Sequence, residues 1–151
     1  MHLSGTRSFT APRQAVWNRL LNPDELAACM PGCEEMRPAG PDEFTATMSV
    51  KIASIGGTFQ GKVALLEKQE PESYVMRVEG GGRPGRVNGQ GTLRLQERGG
   101  ETEIAYDGDV QIAGAIAAVG QRLLGASARM MIGKFFDCLE QRLKQTAGTG
   151  D

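Results

Sequence analysis

Apolar side chains recur at every second position through much of the middle of this chain. Phe44, Ala46, Met48, Val50 and Ile52 alternate with Thr45, Thr47, Ser49 and Lys51. That period of two is the mark of a strand with one dry and one wet face. Phe59, Gly61, Val63 and Leu65 repeat it, followed by Tyr74, Met76 and Val78, then Leu93 and Leu95, then Ile104, Tyr106, Gly108, Val110 and Ile112. Turn signals at Gly56-Gly57, Glu70-Pro71-Glu72, the Gly80 to Gly91 region and Gly99-Gly100 separate these runs. Short connections between one-sided strands predict an antiparallel sheet. With His2 to Phe9 as an opening strand, the count is six or seven.

Two other stretches change period. Residues Thr10 to Glu35 read as two short helices. Pro12 suits a first helical turn, where its missing N–H leaves no partner wanting. Val16, Trp17, Leu20 and Leu21 form an apolar side, and Asn22-Pro23-Asp24-Glu25 restarts the chain as a cap, a proline and first-turn acids. Pro31-Gly32 stops it. From about Ala115 to Gln145 the pattern is helical again, roughly 30 residues and on the order of 45 Å. Leu124, Ala128, Met131, Phe135, Cys138 and Leu139 share one side of it, while Arg122, Arg129, Asp137, Glu140 and Lys144 share the other. Such a helix needs a surface to lie on, and the dry face of the sheet supplies one. Gly120, Gly125 and Gly133 each weaken it by about 1 kcal/mol relative to Ala.

The 151 residues fit one domain, residues 1–146, with 147–151 as a short tail. A net charge of −1 leaves no basic footprint for nucleic acid. No signal peptide or membrane-spanning run is evident, which favours a cytoplasmic location. Three cysteines, an odd number, read as free thiols rather than a disulfide framework. Aromatics at 5%, with seven Met, leave room for an adaptable cavity, although an ordinary Ala/Met core has the same composition.

Candidate chemistry is sparse. Gly80-Gly81-Gly82-Arg83-Pro84-Gly85 matches G-x-G-x-x-G, but a dinucleotide site needs the loop to open a helix, and here strand-like Thr92-Leu93-Arg94-Leu95 follows. The segment reads as a glycine-rich hairpin at the sheet rim. Cys29 and Cys33 lack the further ligands a closed zinc site requires, since His2 is the sole histidine; no metal is expected. Inward strand positions carry Phe, Met, Val, Leu, Ile, Ala and Gly, with Tyr74 and Tyr106 the main polar tips. Glu79, Arg77, Asp107 and Asp109 fall on the outer face, so no catalytic set is expected.

The order strand, helix pair, strands, long helix is that of the START-like helix-grip superfamily. Ala11-Pro12-Arg13, Val16-Trp17, Pro23-Asp24-Glu25-Leu26, Met30-Pro31-Gly32-Cys33-Glu34, Gly57-Thr58-Phe59-Gln60-Gly61-Lys62-Val63, Pro71-Glu72-Ser73-Tyr74, Gly120-Gln121-Arg122 and Phe135-Phe136 resemble the CoxG family associated with carbon monoxide dehydrogenase. The resemblance implies an α+β helix-grip fold: a curved antiparallel sheet of six to seven strands around a long C-terminal helix, with the helix pair closing one end.

It further implies a non-enzymatic carrier of a hydrophobic small molecule, lipid or quinone-like, without cofactor. Such a carrier would be accessory to a molybdenum-containing carbon monoxide dehydrogenase or related hydroxylase. The expected cavity lining is Met48, Val50, Phe59, Val63, Met76, Tyr106 and Val110 from the sheet. Leu124, Met131 and Phe135 are expected from the helix, with Leu26 and Met30 at a lid. Two alternatives stay open: a polyketide cyclase-type enzyme using Tyr106 or Tyr74, and a solid-cored adaptor for the dehydrogenase. Some similar chains end in a hydrophobic anchor; this one ends Gly148-Thr149-Gly150-Asp151, so membrane contact at the inner face is expected to be at most peripheral.

Overall fold

Local signals set the helix boundaries seen in the computed structural model, which describes residues 1–148. Strand β1 (His2–Phe9) leads through Pro12, the cap residue, into α1 (Arg13–Leu20). The carboxamide of Asn22 accepts from the Asp24 N–H at 2.8 Å and starts α2 (Pro23–Cys29). The Pro31-Gly32 turn then directs the chain into β2 (Cys33–Gly40), followed by β3 (Glu43–Ile52), β4 (Ile55–Gln69), β5 (Ser73–Gly82), β6 (Gly85–Arg98) and β7 (Glu101–Ala113). A 3₁₀ segment (Ala115–Val119) and α3 (Gln121–Gly148) complete the fold. Residues 149–151, most of the expected tail, lie outside the described residues.

The strands form a single antiparallel sheet in the order β1-β7-β6-β5-β4-β3-β2. Strands β2 to β7 are a meander, and β1 closes onto the far edge along β7. The register sets Gly5 opposite Tyr106, Tyr106 opposite Leu93 and Leu93 opposite Tyr74. Inward positions therefore align across four strands, and α3 lies on that face.

Four features depart from the sequence reading. The long helix begins at Gln121 rather than Ala115, because Gly120 takes a φ of 94° that right-handed helix excludes and so separates the 3₁₀ segment from α3. Strand β2 had no alternating pattern to reveal it. It is an edge strand rich in charge and containing Pro38, as edges commonly are. The glycine-rich region is mostly strand: only the turn around Arg83-Pro84 is irregular, and Gly85 to Gly91 belong to β6. Finally, Cys29 and Cys138 are not free thiols. They form a disulfide between α2 and α3, with Cα atoms 5.3 Å apart across 109 residues of sequence. Cys33 alone remains free, and partial burial pushes its thiol pKa up.

The core is asymmetric. At the α1/α2 end Phe9, Val16, Trp17, Leu20, Ile104 and Leu139 are at most 2% exposed. Trp17 meets Tyr74 edge-on at 5.4 Å, and Phe136 packs against both Phe9 and Phe135. Buried Thr102 donates to the Ala11 carbonyl at 2.7 Å and secures the exit from β1. The Glu25 carboxylate, largely withdrawn from solvent, accepts from Arg19 at 2.5 Å and from Arg142, tying the helix pair to α3. Arg7 fastens β1 to the same helix through Asp137 at 2.6 Å. This end is solid.

Candidate functional site

The opposite half of the grip is hollow, and the cause is visible in the inward residues. Gly61, Gly80, Gly89, Gly91 and Gly108 occupy positions where a filled core would carry side chains. Gly91 and Gly108 stand opposite each other on β6 and β7. A Cβ on Gly108 would lie 2.9 Å from both the Gln90 carbonyl and the Gly91 Cα. Only glycine permits this approach between curving strands, and the same missing side chains leave space beneath α3.

That space consists of two apolar chambers. One, of about 240 Å³, is bounded by Met48, Val50, Ile52, Phe59 and Val63 of the sheet, by Ile116, and by Leu124 of α3. The other, of about 340 Å³, reaches towards the middle of the sheet, where Met30, Met76, Leu93, Tyr106 and Ile132 enclose it. Leu3, Val78, Val87, Val110, Ala128 and Met131 line both, so the chambers are contiguous. Many lining side chains, Met48, Val50, Ile52 and Met131 among them, are only half-buried, so the space communicates with solvent between β3 and the first half of α3.

The residues expected to line a cavity divide accordingly. Met48, Val50, Phe59, Val63, Val110, Leu124 and Met131 border the first chamber; Met30, Met76 and Tyr106 border the second, with Val110 and Met131 again. Leu26 and Phe135 border neither. Phe135 is 8% exposed within the solid core, and Leu26 packs against that core. Both belong to the apolar stripes of their helices, but the stripes run past the hollow half into the packed half. The expectation missed Ile52, Ile112 and Ile116, and above all the glycines. A period-two run of Gly at inward positions was the available signal.

Polar chemistry stays outside. The side chains of Asp107 and Asp109 are 70% and 79% exposed and hold His2 at 3.4 Å and 2.9 Å. These contacts, the hydrogen bond to Asp109 first, raise the His2 pKa. Lys62 and Glu79 face each other across β4 and β5 on the outer surface. Tyr74 is enclosed against Trp17, away from both chambers, and its burial pushes its pKa up. Tyr106 is thus the titratable side chain that turns towards the hollow among the described residues, its ring 5.8 Å from Phe136 and its hydroxyl close over Gly5. The described residues contain no cluster of His, Cys, Asp or Glu able to hold a metal ion. A wider trough of about 1070 Å³ crosses the outer face, but Thr45, Thr47, Gln60, Lys62, Arg86 and Asn88 make it polar and open to water.

With fold and chambers in place, comparison with known proteins is decisive about kinship. The carbon monoxide dehydrogenase family CoxG matches over residues 5–144. The chain belongs to that family. A conserved protein from Geobacillus kaustophilus superposes with a TM-score of 0.92 at 27% identity, over 97% of each chain. A START superfamily protein from Mycobacterium smegmatis gives a TM-score of 0.69 at 13% identity, covering 96% of this chain and 98% of its own. The Zhui aromatase/cyclase from a Streptomyces species gives 0.68 at 16% identity, covering 97% and 95%. The latter two share the fold. No curated protein matches the sequence. As a CoxG family member the chain is a START-like helix-grip protein, and none of its described helices is long and apolar enough to cross a membrane.

Proposed function

We propose that this protein is a carrier that takes up a hydrophobic molecule, lipid or quinone-like, and performs no turnover on it. The observation that carries the reading is the pair of contiguous apolar chambers, framed by glycines on one side and by Leu124, Ala128 and Met131 on the other. Removing an elongated apolar ligand from water contributes about 25 cal/mol per Å² of its surface, so shape and area suffice without a charged anchor. The family's name supports service to a carbon monoxide dehydrogenase or related molybdenum hydroxylase, with the ligand shuttled between enzyme and membrane.

The test is organic extraction of gently purified protein followed by mass spectrometry, together with a thermal shift using decylubiquinone as probe. A ligand at a hundredfold excess over its Kd should stabilise the fold by about 2.7 kcal/mol. Ala128→Phe, which projects a ring into both chambers, should abolish that shift while leaving the fold intact. No extractable lipid and no probe-induced shift in the unmodified protein would overturn the carrier. Tyr106 at the chamber wall favours one second reading, proton transfer in a cyclase-type reaction. Turnover of a polyketide-like substrate that disappears in Tyr106→Phe would establish it.

A further inference from the structure

We infer that the hollow end of the molecule is a docking face for a bilayer containing anionic phospholipid, against which the chambers open. The inference rests on the carrier reading and adds where loading takes place.

Three connections and the start of α3 meet at this end. A Cβ on Gly57, just after the β3–β4 turn, would touch Pro84 of the β5–β6 turn at 2.8 Å. The Ile116 N–H of the 3₁₀ segment donates to the Pro84 carbonyl at 2.8 Å, and the Leu124 N–H to that of Gly120 at 3.0 Å. The strands reaching this end are strongly biased in charge. Residues 44–66, 80–96 and 110–136 contain no Asp or Glu, yet they include Lys51, Arg83, Arg86, Arg122 and Arg129. None of these five forms an ion pair among the described residues, whereas Arg7, Arg19, Arg37, Lys68 and Arg142 all hold carboxylates elsewhere in the fold. The acids nearest the face are already engaged or balanced, Asp109 by His2 and Glu79 by the facing Lys62.

At the other end the turns carry Asp42 and Glu43, Glu67, Glu70 and Glu72, and Glu97 and Glu101. A net charge of −1 therefore conceals a molecule with a cationic hollow end and an acidic solid end. Such a charge dipole would orient the chain at an anionic surface before contact.

Apolar groups are exposed at the same end. Leu123 and Met130, two helical turns apart on α3, are 41% and 55% exposed, each next to an arginine. Ala53, Ala115 and Ala118 are exposed on the neighbouring turns. Ile116 and Leu124 lie directly beneath and form the chamber wall. Apolar tips ringed by cations suit the boundary between headgroups and acyl chains, where basic residues meet phosphate and apolar ones reach below it. A ligand leaving the bilayer here would pass between β3 and α3 without crossing water.

Co-sedimentation of the full chain with vesicles tests this, comparing phosphatidylcholine alone with phosphatidylcholine plus phosphatidylglycerol. Binding should require the anionic lipid and weaken steeply with salt, whose screening length is about 10 Å at 0.1 M. Arg83→Gln combined with Arg122→Gln should lower partitioning roughly 25-fold, about fivefold for each cation. Arg98→Gln, at the acidic end, should leave it unchanged. Leu123→Ser with Met130→Ser should weaken the binding that persists at high salt. Equal binding to neutral vesicles, absence of vesicle binding, or full retention in the double arginine variant would overturn the docking face. Decylubiquinone binding measured without vesicles separates the two ideas. If it persists where vesicle binding fails, the docking face falls and the carrier stands; if it is absent from the unmodified protein, the carrier itself falls.

Discussion

If the grip is solid at one end and hollow at the other, equivalent truncations along α3 should have unequal costs. Leu139 is 1% exposed in the packed half, and Leu139→Ala should cost about 2–5 kcal/mol in lost transfer energy plus a new cavity. Met131, eight residues earlier on the same helix, borders both chambers and is only half-buried. Its chamber side already lacks partner atoms, so Met131→Ala enlarges an existing void rather than creating one. That cost should be about 1 kcal/mol, the transfer energy of the few half-buried groups removed. Chemical denaturation of the two variants beside the unmodified protein measures this, with m expected to be unchanged. In thermal unfolding each kcal/mol moves Tm by about 2–4 °C for a chain of this size, so the two variants should separate clearly. Equal costs at the two positions would refute the half-hollow core. A Met131→Ala protein that still gains stability from decylubiquinone would show, in addition, that the void takes ligand.

Three further outcomes follow from other parts of the structure. The Cys29–Cys138 bridge closes a loop of 109 residues, so Cys138→Ser, or a dithiol reductant on the unmodified protein, should destabilise by about 2–5 kcal/mol in denaturant titrations; no change would mean the thiols are unlinked. His2, the sole histidine, should titrate above 6.5 in NMR because Asp109 and Asp107 favour its protonated form. Its stabilising contact is complete below 6.5 and is lost as pH rises through the raised folded value; a midpoint at or below 6.5, or no shift in Asp109→Asn, would contradict the pairing. Gly133→Ala sits inside α3 with no atom within 4 Å of the added methyl and should stabilise by about 1 kcal/mol, whereas Gly108→Ala should destabilise because its Cβ would press on the Gln90 carbonyl; the reverse order, read from denaturation midpoints, would overturn that account of the glycines.

The alternation from Phe44 to Ile112, the cap at Asn22-Pro23 and the apolar stripe of α3 are local properties. Period and capping chemistry sufficed to place most elements, and the family wording around Pro31-Gly32-Cys33 set the kinship. Strand β2 escaped because an edge strand with Pro38 and solvated charges needs no alternation. The break at Gly120 escaped because a single residue at positive φ leaves the apolar pattern on either side undisturbed.

Only the tertiary structure decided where the grip is filled. Phe135 and Met131 lie on the same stripe one turn apart, yet one packs against Phe136 while the other borders empty space. The difference comes from what the sheet presents opposite them: aromatic and branched side chains at one end, glycines at the other. The disulfide and the charge dipole share that origin. Cys29 meets Cys138, and Lys51 shares an end of the molecule with Arg83 and Arg122, because antiparallel folding brings alternate turns together. Sequence spacing carries periodicity, but volume and field depend on residues that meet only after the chain has closed.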